Sequence, residues 1–270
     1  MSLPIRLVCV NAPPGSSRDA LLSLLRSDES AVGALFTGHK AELGRDLGGY
    51  ASVTNDVRRL NEVGTLRVKD GGLHASAHDV AASRHVIEDF LGHALWQHGG
   101  RQAVVLGAGG AGLAVATELA RHPAVERVVI TEASAERQRE VRRILATEPA
   151  GARIELLAAS LNNDVVAAAL PGALVVNATG MGKDVPGSPL TEGTPLPARS
   201  LFWELNYRGE RPFLTRVRAA AADSGGRAAD GWDFFVRSWY EALRTIFDTN
   251  WGPAELAAFY DCAAQAKGEA

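Results

Sequence analysis

The chain has little of what would tie it to membranes, nucleic acids or an oxidising compartment. Only two of its 270 residues are cysteine, Cys9 and Cys262. They stand near opposite ends and match neither a disulfide framework nor a Cys-x-x-Cys metal pattern, so a reducing cytosol suits them. An excess of one charge is missing too: 28 Lys and Arg against 31 Asp and Glu leave a formal net charge of -3, which gives no footprint for nucleic acid. No apolar run approaches the roughly 20 residues that a membrane-spanning helix needs. The apolar run over 7–10, behind a single basic residue, is too short for a secretory signal. These absences predict a cytoplasmic protein with no membrane and no nucleic-acid partner.

What is present is an ordinary globular composition, 46% hydrophobic and 22% charged, on a chain long enough for two domains. Residues 5–10 (IRLVCV) read as a buried strand closed by Asn-Ala-Pro-Pro-Gly. A helix follows, capped by Ser17 with Leu21, Leu22, Leu24 and Leu25 on its apolar face; then come a strand over 31–36 and a helical AELGRDL stretch. Strand, helix and strand suggest a small α/β unit. LRVKDGGLHASA, over 66–77, reads as a hairpin turning at Asp70-Gly71-Gly72, and a long helix over 80–96 leads to a linker at 99–101.

Beyond the linker the pattern becomes regular. Strands are predicted over 103–106, 128–130, 154–157, 174–177 and 201–205, with helices over 110–121, 134–146 and 162–169 among them. Such alternation predicts an α/β fold with a Rossmann-type, doubly wound parallel sheet, beside the smaller α/β unit. From Trp232 the chain reads as helix, with Phe234, Phe235, Trp239, Leu243 and Phe247 at core-like spacing.

The strongest local signal is VVLGAGGAG. Gly107, Gly109 and Gly112 hold the G-x-G-x-x-G positions between a strand and a helix, with Gly110 and Ala111 inside the motif. The first glycine permits the tight turn, the second lets backbone approach a pyrophosphate, and the third lets the helix pack on the strand. Glu132 ends the next strand, where a carboxylate accepts from a ribose 2′-hydroxyl and repels a 2′-phosphate. That favours NAD over NADP, although Arg137 nearby leaves NADP open. Asn177, Ala178 and Thr179 begin an NATGMG segment after an apolar strand, at the sheet edge where such folds bind ligands, and read as a nicotinamide contact.

GAGGAG, NATGMG, the ELNYRGERPFLT segment from Glu204, GWDFFV from Gly231 and the upstream FTGHK stand in one order, and by that order the chain resembles the shikimate dehydrogenase family over roughly residues 30–250. The resemblance implies a two-domain dehydrogenase with a small-molecule substrate. It implies that Lys40, assisted by Asp79, handles the proton at a carbinol oxygen while hydride moves to or from nicotinamide. It places Thr65, Tyr207 and Ser238 at the substrate and Gly231 at the cofactor; His78 is a further candidate substrate contact, and Phe234, in the aromatic cluster, a candidate contact to the nicotinamide edge. The implied organisation is a discontinuous substrate domain over 1–79 and 232–270 and a dinucleotide domain over 80–231, with the cleft between them.

Departures from the family pattern point to an altered substrate. Gly64 stands where a VNT-like segment has asparagine, Ala77-His78-Asp79 stands for NTD, and Ser238 stands for a glutamine. A paired-serine loop has no clear counterpart, although Ser16 and Ser17 could substitute, and Arg237, Trp232 and His78 are candidates for a rebuilt pocket. A site built to pair particular hydroxyls rejects molecules lacking them, so such losses shift specificity. The expected substrate is a cyclic polyhydroxy or hydroxy acid related to shikimate or quinate. Two rivals stand beside it: a folate-linked methylene dehydrogenase, against which no aromatic-rich insertion is seen, and a dinucleotide sensor without catalysis. No metal is expected, because His74 and His78 lie too far apart along a strand to share one easily. A shortened small unit would leave an exposed sheet edge that a homodimer could cover.

Overall fold

The computed structural model describes residues 5–13, 16–91 and 101–268. Its first elements are α1 (Arg18–Ser27), β1 (Gly33–Leu35), α2 (Lys40–Gly44), β2 (Ser52–Val53), α3 (Asn55–Leu60), β3 (Thr65–Lys69), β4 (Gly72–Ser76) and α4 (His78–Leu91). Ser17 caps α1 as expected, its hydroxyl accepting from the Ala20 amide at 3.2 Å. The hairpin forms where the sequence places it, with Asp70 and Gly71 both at positive φ. Alternation along β3 and β4 sends Leu66, Leu73 and Ala75 into a core with Leu21, Leu22, Leu43, Val57 and Val63.

The four strands pair in the order β1-β3-β4-β2, a mixed sheet rather than the expected strand-helix-strand unit. The predicted strand over 5–10 does not form. Ile5, Leu7, Val8 and Val10 are all more than half exposed, because an apolar run becomes a strand only where its backbone groups find a neighbour. Sequence reading also passed over β2 and α3, both too short to show a period. The predicted helix over 80–96 begins earlier, at His78; its last residues and most of the linker lie outside the described residues.

The second half continues with β5 (Gln102–Leu106), α5 (Gly110–Arg121), β6 (Arg127–Glu132), α6 (Ala135–Thr147), β7 (Ile154–Ala158), α7 (Asn162–Ala167), β8 (Leu174–Asn177), β9 (Leu201–Glu204), α8 (Pro212–Ser224), β10 (Arg227–Ala229), α9 (Trp232–Ile246) and α10 (Pro253–Gly268). Among the described residues its six strands are all parallel, in the order β10-β9-β8-β5-β6-β7, which is the doubly wound topology. Strands covered on both faces read as continuous apolar runs, and β5, β8 and β9 are buried along their whole length. The switch point lies between β5 and β8, which places the loops after both strands at one crevice. The chain returns through α9, which packs against α4, β3 and β1.

Ion pairs fasten the small unit to the large one. Arg59 on α3 donates to Glu148 beyond α6 (2.8 Å) and to Glu118 on α5 (3.2 Å), and both carboxylates are buried. Removing one partner of a buried pair strands the others in low dielectric. Arg59→Ala is therefore expected to lower unfolding stability by about 3–5 kcal/mol in a urea titration. A loss below about 1 kcal/mol would show that water already screens these groups.

Candidate active site

The glycine turn has the geometry its spacing predicts. Gly107 sits at φ +99°, where a Cβ would press on Ala178 and Thr179 backbone at 3.0 Å. Gly112 packs so closely that a Cβ would overlap the Gly107 carbonyl. Gly109, in contrast, has ordinary φ and nothing within 4 Å of where its Cβ would be, and it caps α5. Gly107 and Gly112 are thus required by the fold itself, whereas Gly109 leaves open the space an incoming group would fill. Backbone amides at the start of α5 make that space favourable for negative charge.

Glu132 ends β6 and turns back to this loop, accepting from the Ala108 amide (3.1 Å) and the Ser134 amide (2.8 Å). Arg137 points toward the glycine turn and Glu62. Its Nε donates to the Ala108 carbonyl at 2.8 Å, and its terminal nitrogens bond to Glu140 at 2.9 Å and Glu62 at 2.5 Å. Across the crevice, buried Asn177 donates to the Glu204 carboxylate at 2.8 and 3.0 Å and accepts from the Thr179 amide and hydroxyl. Burial raises the Glu204 carboxyl to about 7, against the opposing Asn206 amide and Asn177. This pair ties the loop after β8 to β9, and Ala178 follows it against the glycine turn, its amide bonded to the Leu106 carbonyl at 2.8 Å.

Lys40 opens α2 after His39, whose left-handed backbone (φ 58°) turns the chain into the helix. Its ammonium bonds to Asp79 on α4, and both side chains are largely shielded, 14% and 8% exposed. Burial alone would raise the Asp79 carboxyl, but Lys40 and His78 outweigh it and hold it below the ordinary carboxylate range. The second Asp79 oxygen lies 3.2 Å from His78 Nε2, and His78 Nδ1 is 2.7 Å from the Thr65 hydroxyl. Burial lowers the His78 imidazole, with Asp79 opposing and Lys40 adding to the effect. Lys40, Asp79, His78 and Thr65 therefore form one continuous hydrogen-bonded chain. A small cavity beside it is lined by Lys40, Glu62, Gly64, Ala77, Asp79 and Ala114.

Thr65 and His78, the expected substrate contacts, are buried and face each other. The reason is steric: a Cβ on Gly64 would stand 2.7 Å from the His78 ring, so the missing side chain at 64 is what admits the imidazole. The two departures from the family pattern are one coupled change. Gly64→Ala is expected to cost about 1–3 kcal/mol of stability by overpacking, and His78→Ser in the same chain to recover most of it. Calorimetry of the single and double variants checks this, and additive losses would refute the coupling.

The remaining candidates divide. Ser238 on α9 is buried, and among the described residues its hydroxyl has no hydrogen-bond partner. Gly231 caps α9 so tightly that a Cβ would overlap the Leu205 carbonyl, and Phe234 lies edge-on to Trp203 at 5.8 Å. Tyr207 stacks on Phe235 at 4.0 Å. Arg237 is taken by Asp233 and Asp89, and Trp232 lies under Lys267, so neither reaches the Lys40 cavity. Ser16 bonds to the Pro13 carbonyl and Ser17 caps α1. His74 bonds to Ser52. Glu62 is the residue the sequence reading missed. It stands in the same EVGT segment as Gly64, and nothing in its local sequence, Asn61 before it and Val63 after it, marks it as buried.

No family model matches the chain. Among curated proteins, the shikimate dehydrogenase (NADP(+)) of Salinibacter ruber is 32% identical over 214 residues, covering 77% of this chain and 70% of the relative. That of Methylobacterium radiotolerans is 32% identical over 189 residues, covering 67% of this chain and 60% of the relative. The chain thus spans 60 to 70% of the length of these two relatives. Among solved structures, quinate dehydrogenase from Corynebacterium glutamicum in complex with NAD superposes with a TM-score of 0.68 at 21% identity, over 92% of this chain and 83% of that one. Shikimate 5-dehydrogenase from Thermus thermophilus in complex with NADP(H) and shikimate gives 0.65 at 22% identity, over 93% and 85%. At these identities the structural likeness concerns the fold.

Proposed function

The chain belongs to the shikimate dehydrogenase family, and on that premise we propose that it is an NAD(P)-dependent dehydrogenase interconverting a secondary alcohol and a ketone on a small cyclic polyhydroxy or hydroxy acid. The observation that carries this reading is the position of Lys40. Its side chain lies 3.4 Å from where a Cβ on Gly110 would be, so the buried Lys40–Asp79 pair abuts the dinucleotide loop. A bound dinucleotide supplies the nicotinamide that accepts or returns hydride.

The chain's own residues account for the proton. In the reductive direction the Lys40 ammonium donates a proton to the forming alkoxide and stabilises its charge, and in the oxidative direction the neutral amine takes the carbinol proton and becomes the ammonium. Asp79 fixes the amine and remains ionised, while His78, itself bonded to Thr65, holds the carboxylate from its other side. The unpartnered Ser238 hydroxyl is the expected contact for a substrate hydroxyl, and Tyr207 the expected contact at the large unit's edge. Substrate binding falls to the unit comprising 1–79 and 232–270, and dinucleotide binding to 80–231.

NAD is the proposed cofactor. Glu132 holds a carboxylate against the glycine turn where a 2′-phosphate would be repelled, and Arg137 is engaged inward. The proposed compartment is the cytoplasm, where two free, exposed thiols stay reduced. The test is steady-state reduction of NAD+ and NADP+ with shikimate, quinate and a panel of cyclic polyols and hydroxy acids. NAD-linked turnover of one alcohol is expected; dinucleotide binding with no turnover on any of them points to the sensor, and a preference for NADP+ overturns the cofactor assignment.

A further inference from the structure

Glu62 takes no part in the proton chemistry described above, yet its placement is costly. It lies in the connection between α3 and β3, 4% exposed, in a crevice between the two units. One oxygen accepts from Arg137, 75 residues away on α6, at 2.5 Å. The other would stand 2.9 Å from a Cβ on Gly110, so the carboxylate rests against the opening turn of α5. Unpaired amides and the positive end of the helix dipole make that place favourable for an anion. It is also where the pyrophosphate of a dinucleotide approaches the glycine loop.

Two anionic groups cannot share one dry crevice. We propose that Glu62 is an affinity-setting residue of the dinucleotide site: its carboxylate stands in for a phosphate in the nucleotide-free protein, clasped by Arg137, and dinucleotide binding must expel it. This rests on the dinucleotide reading given above. The clasp makes the binding-competent state a minor one, and apparent affinity falls by the fraction of molecules in which it is open.

A simple interdomain staple is the rival account, and it predicts the opposite sign. If Glu62 only held the units together in their binding geometry, its loss would weaken dinucleotide binding. If it occupies the phosphate position, its loss strengthens binding. The charged groups facing it are Lys40 from α2, Asp79 from α4, and Arg137 with Glu140 from α6; His78 on α4 is held toward its neutral form. Burial raises the Glu62 carboxyl to about 7, with Arg137 and Lys40 opposing. Protonation as pH falls through that value removes both the clasp and the repulsion. NADH should therefore bind more tightly at about pH 6 than at about pH 8.

The experiment is NADH binding to the full-length protein, followed by nucleotide fluorescence without substrate, for wild type, Glu62→Gln and Glu62→Ala. Both variants are expected to bind about 5- to 50-fold more tightly than wild type at about pH 8, and to lose the pH dependence. Glu62→Ala guards against a glutamine that keeps the clasp by hydrogen bonding. Unchanged or weaker binding in both variants overturns the inference while leaving the dehydrogenase reading intact. A wild type that binds neither NADH nor NADPH overturns both.

Discussion

Lys40→Met is expected to lower turnover by about 10²- to 10⁴-fold while NADH still binds, because the substitution keeps the side chain's length against the glycine loop and removes only its proton and charge. The loss belongs to the barrier rather than to binding: an alkoxide forming beside a thioether has no cation to offset it. It also leaves Asp79 with one partner, His78, at 3.2 Å. Asp79 is held below the ordinary carboxylate range with Lys40 as its main charge partner, so the variant should also be less stable, and stability should recover in Lys40→Met/Asp79→Leu. Steady-state kinetics beside thermal unfolding separates the two effects. Turnover within tenfold of wild type would exclude Lys40 as the proton carrier and return attention to the sensor.

The glycine loop gives the second large effect, and its three glycines should not behave alike. In Gly112→Ala the new methyl group would overlap the Gly107 carbonyl, a backbone atom that cannot rotate away, and would press on Ala178 at 3.0 Å. That variant is expected to lose about 1–3 kcal/mol of stability and to bind NADH about 100-fold more weakly, through displacement of the loop. The Cβ added in Gly109→Val has nothing within 4 Å in the protein. It should unfold at nearly the wild-type temperature, yet lose NADH affinity by a comparable factor, because the added side chain occupies the space reserved for the ligand. Isothermal titration with both variants checks this. Normal NADH binding by Gly109→Val would mean that the phosphates lie elsewhere.

The site was partly legible before any coordinates, for reasons that differ from residue to residue. Gly107, Gly109 and Gly112 were readable because turn, approach and packing each demand glycine at a fixed local spacing. Lys40 and Asp79 carried no such local signature; only an order of motifs resembling a known family picked them out, and the structure brings them into contact across 39 residues of chain. Arg137 stands near Glu132 in the sequence, but its guanidinium faces Glu62. His78 and Gly64 were each seen as departures, and only their packing reveals one coupled change.

The inner strands of the parallel sheet and the phosphate turn are legible in the sequence, since strands covered on both faces are apolar throughout and the loop's glycines answer to backbone sterics over a few residues. Those constraints are local, so they leave local marks. That β10 (Arg227–Ala229) extends the parallel sheet, that residues 5–10 stay outside any strand, that β1 joins a mixed sheet and that Glu62 lies against the opening of α5 follow from long-range contacts. Each of these depends on a partner far along the chain. Burial, pairing and charge compensation are settled by which surfaces meet, and no periodicity within a segment encodes its distant neighbour.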